Sequence, residues 1–388
     1  MGFFSRFNKQ VEAPTTAKVM GDKLNDIFET ISLRSIDLPK PVTSKQYDWV
    51  LLGQNNSFPL ELIEYKNNSS IHSAIIEGEA RFIAGNGLLY ADTREASNLW
   101  LVENFKQVPF WRKLDSIFAK VTRDQLLFGY SCFEVIYSMD RTRILDINYI
   151  DASRIACGKK DHDEAVDDYY YSENWANVKN CTPKKIEGFD PNGVGLKQLM
   201  FITNETNNMD YFSLPSYYSS LKWIKSDGLM ADYSMSAIQN GFSPSIVFKF
   251  YKKPTPEERR MNADAIKAQH GGTKNAGKAL IFYADGKELA PDVDTLDATN
   301  IDARLLQVSE QIIQNIISGH RAYPQLLGIS TPSKLGYSNE LLQSWSIYDV
   351  LVIQPERKLI LDAFKEVLMY NGVTRLTVEE LQPIKIIN

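Results

Sequence analysis

Toward the end of the chain, Leu305, Val308, Ile312, Ile313, Ile316 and Ile317 recur at three- and four-residue steps. That spacing places them on one stripe of a helix over about 302–319. A polar lead precedes it, with Thr299 or Asn300 available as a cap, and Pro324 stops it. A second apolar series, Leu341, Leu342, Trp345, Val350, Ile353, Leu359, Phe364 and Leu368, predicts a core-facing helix over about 340–370. Ser338 or Asn339 is positioned to cap it and Pro355 to kink or split it. Between the two helices lies a run broken by Gly328, Pro332 and Gly336. A structureless connection of roughly eighteen residues is uncommon inside a compact domain and tends to be functional. The plain alternative is a helical hairpin with a surface loop.

The same periodicities organise the rest. A short helix is predicted over 21–36 within a mixed N-terminal arm, and a further element begins at Phe58. Ile71, Ala74, Ile75, Ala80 and Ile83 share one face of a helix over 70–83, capped by Ser69 or Ser70, before the Gly85–Gly87 turn. Trp111, Leu114, Ile117, Phe118, Val121 and Leu126 mark a helix over 108–128. Alternating aromatic and β-branched residues then predict strands over 132–138, 144–150, 154–157, 168–172 and 199–203. From residue 216 the order reads helix, strand (245–251), polar helix capped by Thr255, strand (278–283), helix. The class is α+β.

Composition narrows the function. The 388 residues are 44% hydrophobic and 23% charged, with a net charge of -5, a pI near 5.6 and a mean hydropathy of -0.28. These are the values of a folded, water-exposed protein, and the acidic balance argues against tight nucleic-acid binding over the whole surface. A local exception is 251–278, with seven basic residues (Lys252, Lys253, Arg259, Arg260, Lys267, Lys274, Lys278) against three acidic. Such a tip suits an acidic partner, although a solvated face has the same look. Three cysteines form no disulfide or metal spacing, no run is long enough for a membrane span, and the N-terminus lacks a signal-peptide pattern. Met1-Gly2 followed by Phe3, Phe4, Ser5 and Arg6 is a faint myristoylation pattern of a kind that often arises by chance. A reducing, cytosolic-type compartment is expected.

Catalytic motifs are missing. There is no Walker loop, dinucleotide fingerprint, nucleophile elbow or H-E-x-x-H. The glycine-rich 271–278 run precedes a strand rather than a helix, so it lacks the context of a phosphate cradle. His72 and His320 fall beside helix cores or ends, which suits structural roles. Asp161, His162, Asp163 and Glu164, with Asp167 and Asp168, contain metal-ligand types, but an acidic hairpin tip has the same composition.

Several short signals in order resemble the portal proteins of tailed bacteriophages. They are 124–136 (DQLLFGYSCFEVI), 238–244 (IQNGFSP), 271–281 (GGTKNAGKALI), 323–328 (YPQLLG), and Asn339-Glu340 followed by 352–355 (VIQP). The resemblance implies a portal-like subunit: a mixed α/β wing (1–215), stem helices (216–241 and 296–320), a small strand-helix-strand clip (242–295), a tunnel loop (321–338) and a kinked wing helix with tail (339–388). A C-terminal crown would be absent or minimal. It also implies a non-enzymatic, cofactor-free ring of about twelve copies at one capsid vertex, for double-stranded DNA packaging and ejection. Its partners would be itself, DNA held transiently and without sequence preference, the large terminase, then the head-tail connector, with major capsid and scaffolding proteins. No membrane is involved, and the ring would assemble in the host cytoplasm. The tunnel-loop residues facing DNA would be Gly328, Ser330, Pro332, Lys334 and Gly336, with Leu326, Leu327 and Ile329 anchoring the loop base on the stem. The clip residues facing motor or connector would be Lys253, Arg259, Arg260, Lys267 and Lys274. Another phage head-tail adaptor ring, or a metal-dependent enzyme using 161–168, are the alternatives.

Overall fold

Two short strands, β1 (Pro41–Thr43) and β2 (Trp49–Leu52), open the described chain and lead into helices α1 (Ser57–Asn68) and α2 (Ser70–Ala84). The computed structural model describes residues 39–89, 110–160, 165–204, 206, 209–239, 247–250, 255–258, 260–261, 280–283, 298–328, 338–373 and 375–381. The predicted helix over 21–36 lies outside them. α2 starts at its expected cap: Ser69 Oγ accepts from the His72 amide. Next come β3 (Leu88–Leu89), α3 (Phe110–Phe128), β4 (Tyr130–Tyr137), β5 (Ile144–Tyr149), β6 (Ile155–Gly158), β7 (Asp168–Tyr171), β8 (Lys184–Gly188) and β9 (Lys197–Thr203).

Strands β1, β2 and β4 to β9 form one sheet in the order β1-β2-β6-β7-β8-β9-β4-β5. Neighbours pair antiparallel except β8 with β9, which run parallel over two residue pairs. The sequence pattern did not reveal β1, β2 or β8. The first two are short, and β8 is a Lys-Lys-Ile-Glu-Gly run whose side chains are largely in water, so it carries little apolar alternation. β4, held between β9 and the edge strand β5, is buried along nearly its whole length. Gly129 makes the turn from α3 into β4 with φ 83°; a Cβ there would run into the Leu214 backbone, so only glycine fits.

The remaining elements are α4 (Leu221–Gln239), β10 (Val247–Phe250), β11 (Leu280–Tyr283), α5 (Ala298–His320), α6 (Ser338–Tyr348), a π-helical turn (Asp349–Ile353), α7 (Gln354–Met369) and β12 (Thr377–Val378). α5 begins before the expected caps Thr299 and Asn300. β10 and β11 pair in parallel, and β12 pairs with β3. The core under the sheet is aromatic: Phe364 of α7 meets Phe133 of β4 at 4.4 Å and Phe118 of α3 at 5.3 Å between ring centroids.

Proline does split the last long helix, but by way of the π turn immediately before Pro355. The wider turn changes which side faces inward. Tyr348, Val352, Ile353, Ile360 and Phe364 are buried, whereas Val350, expected in the core, is 57% exposed. Ala74 and Val308 are also exposed rather than core-facing. In their place α2 buries His72 and Glu79, and α7 buries Arg357, which donates to the carbonyls of Phe82 (2.8 Å) and Ile83 (3.1 Å) at the end of α2.

The outer edge of β5 is closed by side chains. Asn371 accepts from the Ile144 amide at 2.7 Å and donates to the Ile144 carbonyl at 2.8 Å. The Ile147 amide is taken by Asp146 Oδ1 at 3.0 Å. An edge so occupied offers few free backbone groups to another strand.

Candidate functional site

α4 and α5 form an antiparallel hairpin that starts inside the body and leaves it. At the foot, Ser220 Oγ donates to the Asn315 carbonyl at 3.0 Å, and Gly319 lets α5 approach Ser220 where no Cβ would fit. Leu221 and Ile224 of α4 and Ile312 and Ile316 of α5 are buried. Beyond Ile224 on α4 and Ile312 on α5, no described side chain of the hairpin is buried. Leu229, Tyr233, Met235, Leu306 and Val308 are between 42% and 65% exposed. Both helices of the hairpin thus expose apolar side chains beyond the foot.

The foot is fixed to α2. Nδ1 of His72 and Nε2 of His320 share a hydrogen bond of 2.9 Å, and the Tyr217 ring lies against both imidazoles, at 4.5 and 4.7 Å. The Tyr217 hydroxyl donates to the Leu127 carbonyl at 2.6 Å. Burial, with the Lys66 charge, pulls His72 down to about 3. Burial and His72 pull His320 well below its ordinary range. Both rings are therefore neutral at neutral pH. Ser69 also donates to Asp227 of α4 at 2.7 Å, so one helix start holds both arms of the hairpin.

From His320 the chain turns sharply through Arg321, at φ 55°, into a 3-10 turn at Pro324–Leu327. This turn is the loop's first root. Leu327 rests on Gly78 of α2, where any Cβ would collide with it. The second root is the end of α6: Trp345 packs on Phe82 at 4.9 Å, and the Tyr348 hydroxyl donates to Glu79 Oε1 at 2.8 Å. Tyr323 and Tyr348 meet edge-on at 5.5 Å, joining the roots directly. Burial pushes the Glu79 carboxyl up to about 8, against the Tyr348 hydrogen bond and Arg321 and helped by the Glu356 charge. Burial also raises Glu356, opposed by Arg321. Arg321 and Glu356 line a cleft of about 320 Å³ with Gln125, Asn204, Thr206 and Ser216.

Of the residues singled out in the loop, Gly328 is described. It ends the 3-10 turn at φ 70°, with open space around its Cβ position. Ser330, Pro332, Lys334 and Gly336 lie outside the described residues, as does Ile329. Leu327 sets the loop base against α2, where the bare Gly78 surface supplies the socket. Of the basic tip, Arg260 lies in a helical stretch and is exposed. Thr255 caps that helix as expected, and Glu258 completes a capping box: Thr255 N–H donates to Glu258 Oε2 at 2.9 Å, and Glu258 N–H to Thr255 Oγ1 at 3.3 Å. Lys253, Arg259, Lys267 and Lys274 fall outside the description, and so do Asp161 to Glu164. Asp168 is paired with Lys185 at 2.7 Å. Among the described residues no group of three or more His, Cys, Asp or Glu side chains could hold a metal, and no helix is long and apolar enough to cross a membrane.

Sequence reading missed Glu79 and its partner Tyr348. The signal was available in part: Glu79 stands between Ile75, Ile76 and Ile83 on the apolar face of a helix, a position where a carboxyl must be buried and partnered.

No family model and no curated protein matches the chain. The fold is found in solved structures of gene transfer agent particles. A chain in the neck of an empty particle, computed with C6 symmetry, matches with a TM-score of 0.53 at 14% identity, covering 82% of this chain and 83% of that one. A chain of the native gene transfer agent virion matches at 0.52 and 14%, covering 83% of each. A chain in the neck of the native particle, computed with C12 symmetry, matches at 0.51 and 15%, covering 87% and 85%. At this identity the likeness establishes a shared fold.

Proposed function

We propose that this chain is the subunit of a portal-type ring, in which about twelve copies surround a channel for double-stranded DNA at one vertex of a phage-like capsid. The observation that carries the reading is the hairpin of α4 and α5, whose apolar side chains beyond the foot are exposed. Leu229, Tyr233, Leu306 and Val308 stand in water along the hairpin, and exposed apolar side chains gathered on one element suit an interaction surface. A neighbouring copy, placed heterologously around an axis, would cover it. The fold shared with neck chains resolved under sixfold and twelvefold symmetry supports the same reading.

In this reading the compact body with its eight-stranded sheet is the wing and the hairpin is the stem. The β10–β11 pair with the basic segment around Arg260 is the clip, and residues 321–338 are the tunnel loop. The protein is a structural channel rather than an enzyme. Its clip would seat the packaging motor and later the head-tail connector, through Lys253, Arg259, Arg260, Lys267 and Lys274. Its body would face the major capsid and scaffolding proteins. Lys334, the only side chain between Arg321 and Glu340 charged at neutral pH, would touch passing phosphates one at a time. An acidic protein with few such contacts lets a polyanion slide, because each phosphate contact adds affinity without sequence information.

Negative-stain imaging and mass measurement of the purified chain, with and without scaffolding protein, test the proposal. Closed rings with an axial hole are expected. Monomers alone under every condition, scaffold included, would overturn it.

A further inference from the structure

We propose that the notch between β8 and β9 is a docking site for an extended acidic segment of another protein, which adds as a strand to the free edge of β8. On one side β8 is held by β7, from Tyr171↔Lys184 to Asp168↔Glu187. On the other side only Glu187 and Gly188 pair with β9. Gly188 N–H donates to the Asp167 carbonyl on the β7 side at 2.7 Å, and Phe189 N–H to the Leu199 carbonyl on the β9 side at 2.9 Å. Backbone groups alternate in direction along a strand, so the Lys185 N–H and C=O turn toward β9, where the ladder has already ended. They border a cavity of about 710 Å³, lined by Lys184 and Ile186 from β8, by Gly195 and Lys197 from the β9 side, and by Tyr149 and Ile150. An open backbone edge beside such a space suits main-chain pairing. Ile144 on β5 has both its groups taken by Asn371; among the described residues no side chain does this for Lys185.

Charge selects the occupant. Asp151 pairs with Arg154 at 3.5 Å and Asp168 with Lys185 at 2.7 Å, and Glu134 accepts from Asn148 at 3.1 Å. Lys184 and Lys197 are exposed and make no ion pair among the described residues. Glu187, the carboxylate left over in the lining, stands where β8 meets β9, at the far end of β8 from Lys184. The open ammonium groups call for carboxylates on the incoming segment, while Ile150, Ile186 and the Tyr149 ring accept apolar side chains. A strand turns successive side chains to opposite sides, so a segment alternating acidic and apolar residues offers both. The site is separate from the hairpin and does not depend on the ring reading.

Fluorescence anisotropy of the full chain with a short labelled peptide, alternating valine and glutamate, tests the site. Binding is expected. It should weaken about tenfold when lysine replaces glutamate in the peptide, or when Lys184→Glu and Lys197→Glu are combined in the chain. Both lysines are exposed, so the urea midpoint of that variant should match the parent. Methylating every second amide nitrogen of the peptide removes the main-chain donors from one side of the strand. Of the two methylated forms, one should bind about tenfold weaker than the other. Hydrogen exchange over 184–186 should slow with peptide bound and stay unchanged with glutarate, a free dicarboxylate. No binding, equal affinity of the two methylated forms, equal binding of the lysine peptide, or protection by glutarate would overturn the proposal. So would protection of 184–186 without peptide when chains assemble, which gives the notch to a second copy.

Discussion

The buried carboxyl of Glu79 predicts how stability depends on pH. In the folded chain the group holds its proton up to about 8; in the unfolded chain it loses it near the ordinary glutamate value, about 4.3. Between those values the folded state binds one more proton than the unfolded state, so stability falls as pH rises, by about 1.4 kcal/mol per unit. The contribution is fully present below the unfolded value and gone above the folded one. His72 has the opposite slope: its folded value is about 3, so its stabilisation is lost as pH falls from about 6.5 toward 3. Above pH 6.5 the histidine no longer counteracts the carboxyl. From pH 6.5 to 8 the Glu79 term should remove about 2 kcal/mol. Glu79→Gln has no proton to lose, and its amide oxygen can still accept from Tyr348. The stability difference between variant and parent should therefore grow in favour of the variant by about 2 kcal/mol over that interval. Urea unfolding at constant m, in steps of half a pH unit, measures it. Asp124, which burial raises to about 7, and the histidines are common to both proteins and cancel in the difference. Parallel curves for parent and variant would refute the reasoning.

Arg357→Met should cost about 2–4 kcal/mol in urea unfolding, because the Phe82 and Ile83 carbonyls lose a charged donor. Asn371→Ala should cost about 1–2 kcal/mol and make light scattering concentration-dependent, since it opens the backbone edge at Ile144. Lys334→Ala should leave rings intact and change DNA packaging or retention modestly, whereas deletion of 330–338 should reduce it severely. A deletion that packages and retains DNA like the parent means the loop is an inert connector. Reversing the charges of Arg259, Arg260 and Lys267 should impair packaging or tail joining while rings still form.

The elements that sequence made legible are those whose packing repeats. α2, α3 and α5 bury residues at helical spacing, and β4, β5 and β9 carry aromatic and β-branched runs, so periodicity alone located them. The π turn was not legible, since one extra residue per turn rotates the pattern without leaving a mark, and Val350 ended outside. β8 was hidden because its side chains are polar and in water. Of the candidate site, the breaker-rich loop and the cap at Thr255 were readable from residue types. The His72–His320 bond and the Glu79–Tyr348 bond join residues 248 and 269 positions apart, and no local signal encodes such a meeting. A lone carboxyl on an apolar face said only that some partner must exist.

The β5 edge bears on how the chain meets other molecules. With the Ile144 amide and carbonyl held by Asn371 and the Ile147 amide by Asp146, that border offers a foreign strand fewer backbone partners. Contact along it would then rest more on side chains, whose fit is specific, than on cross-strand pairing, and the sheet is less open there to growth by aggregation.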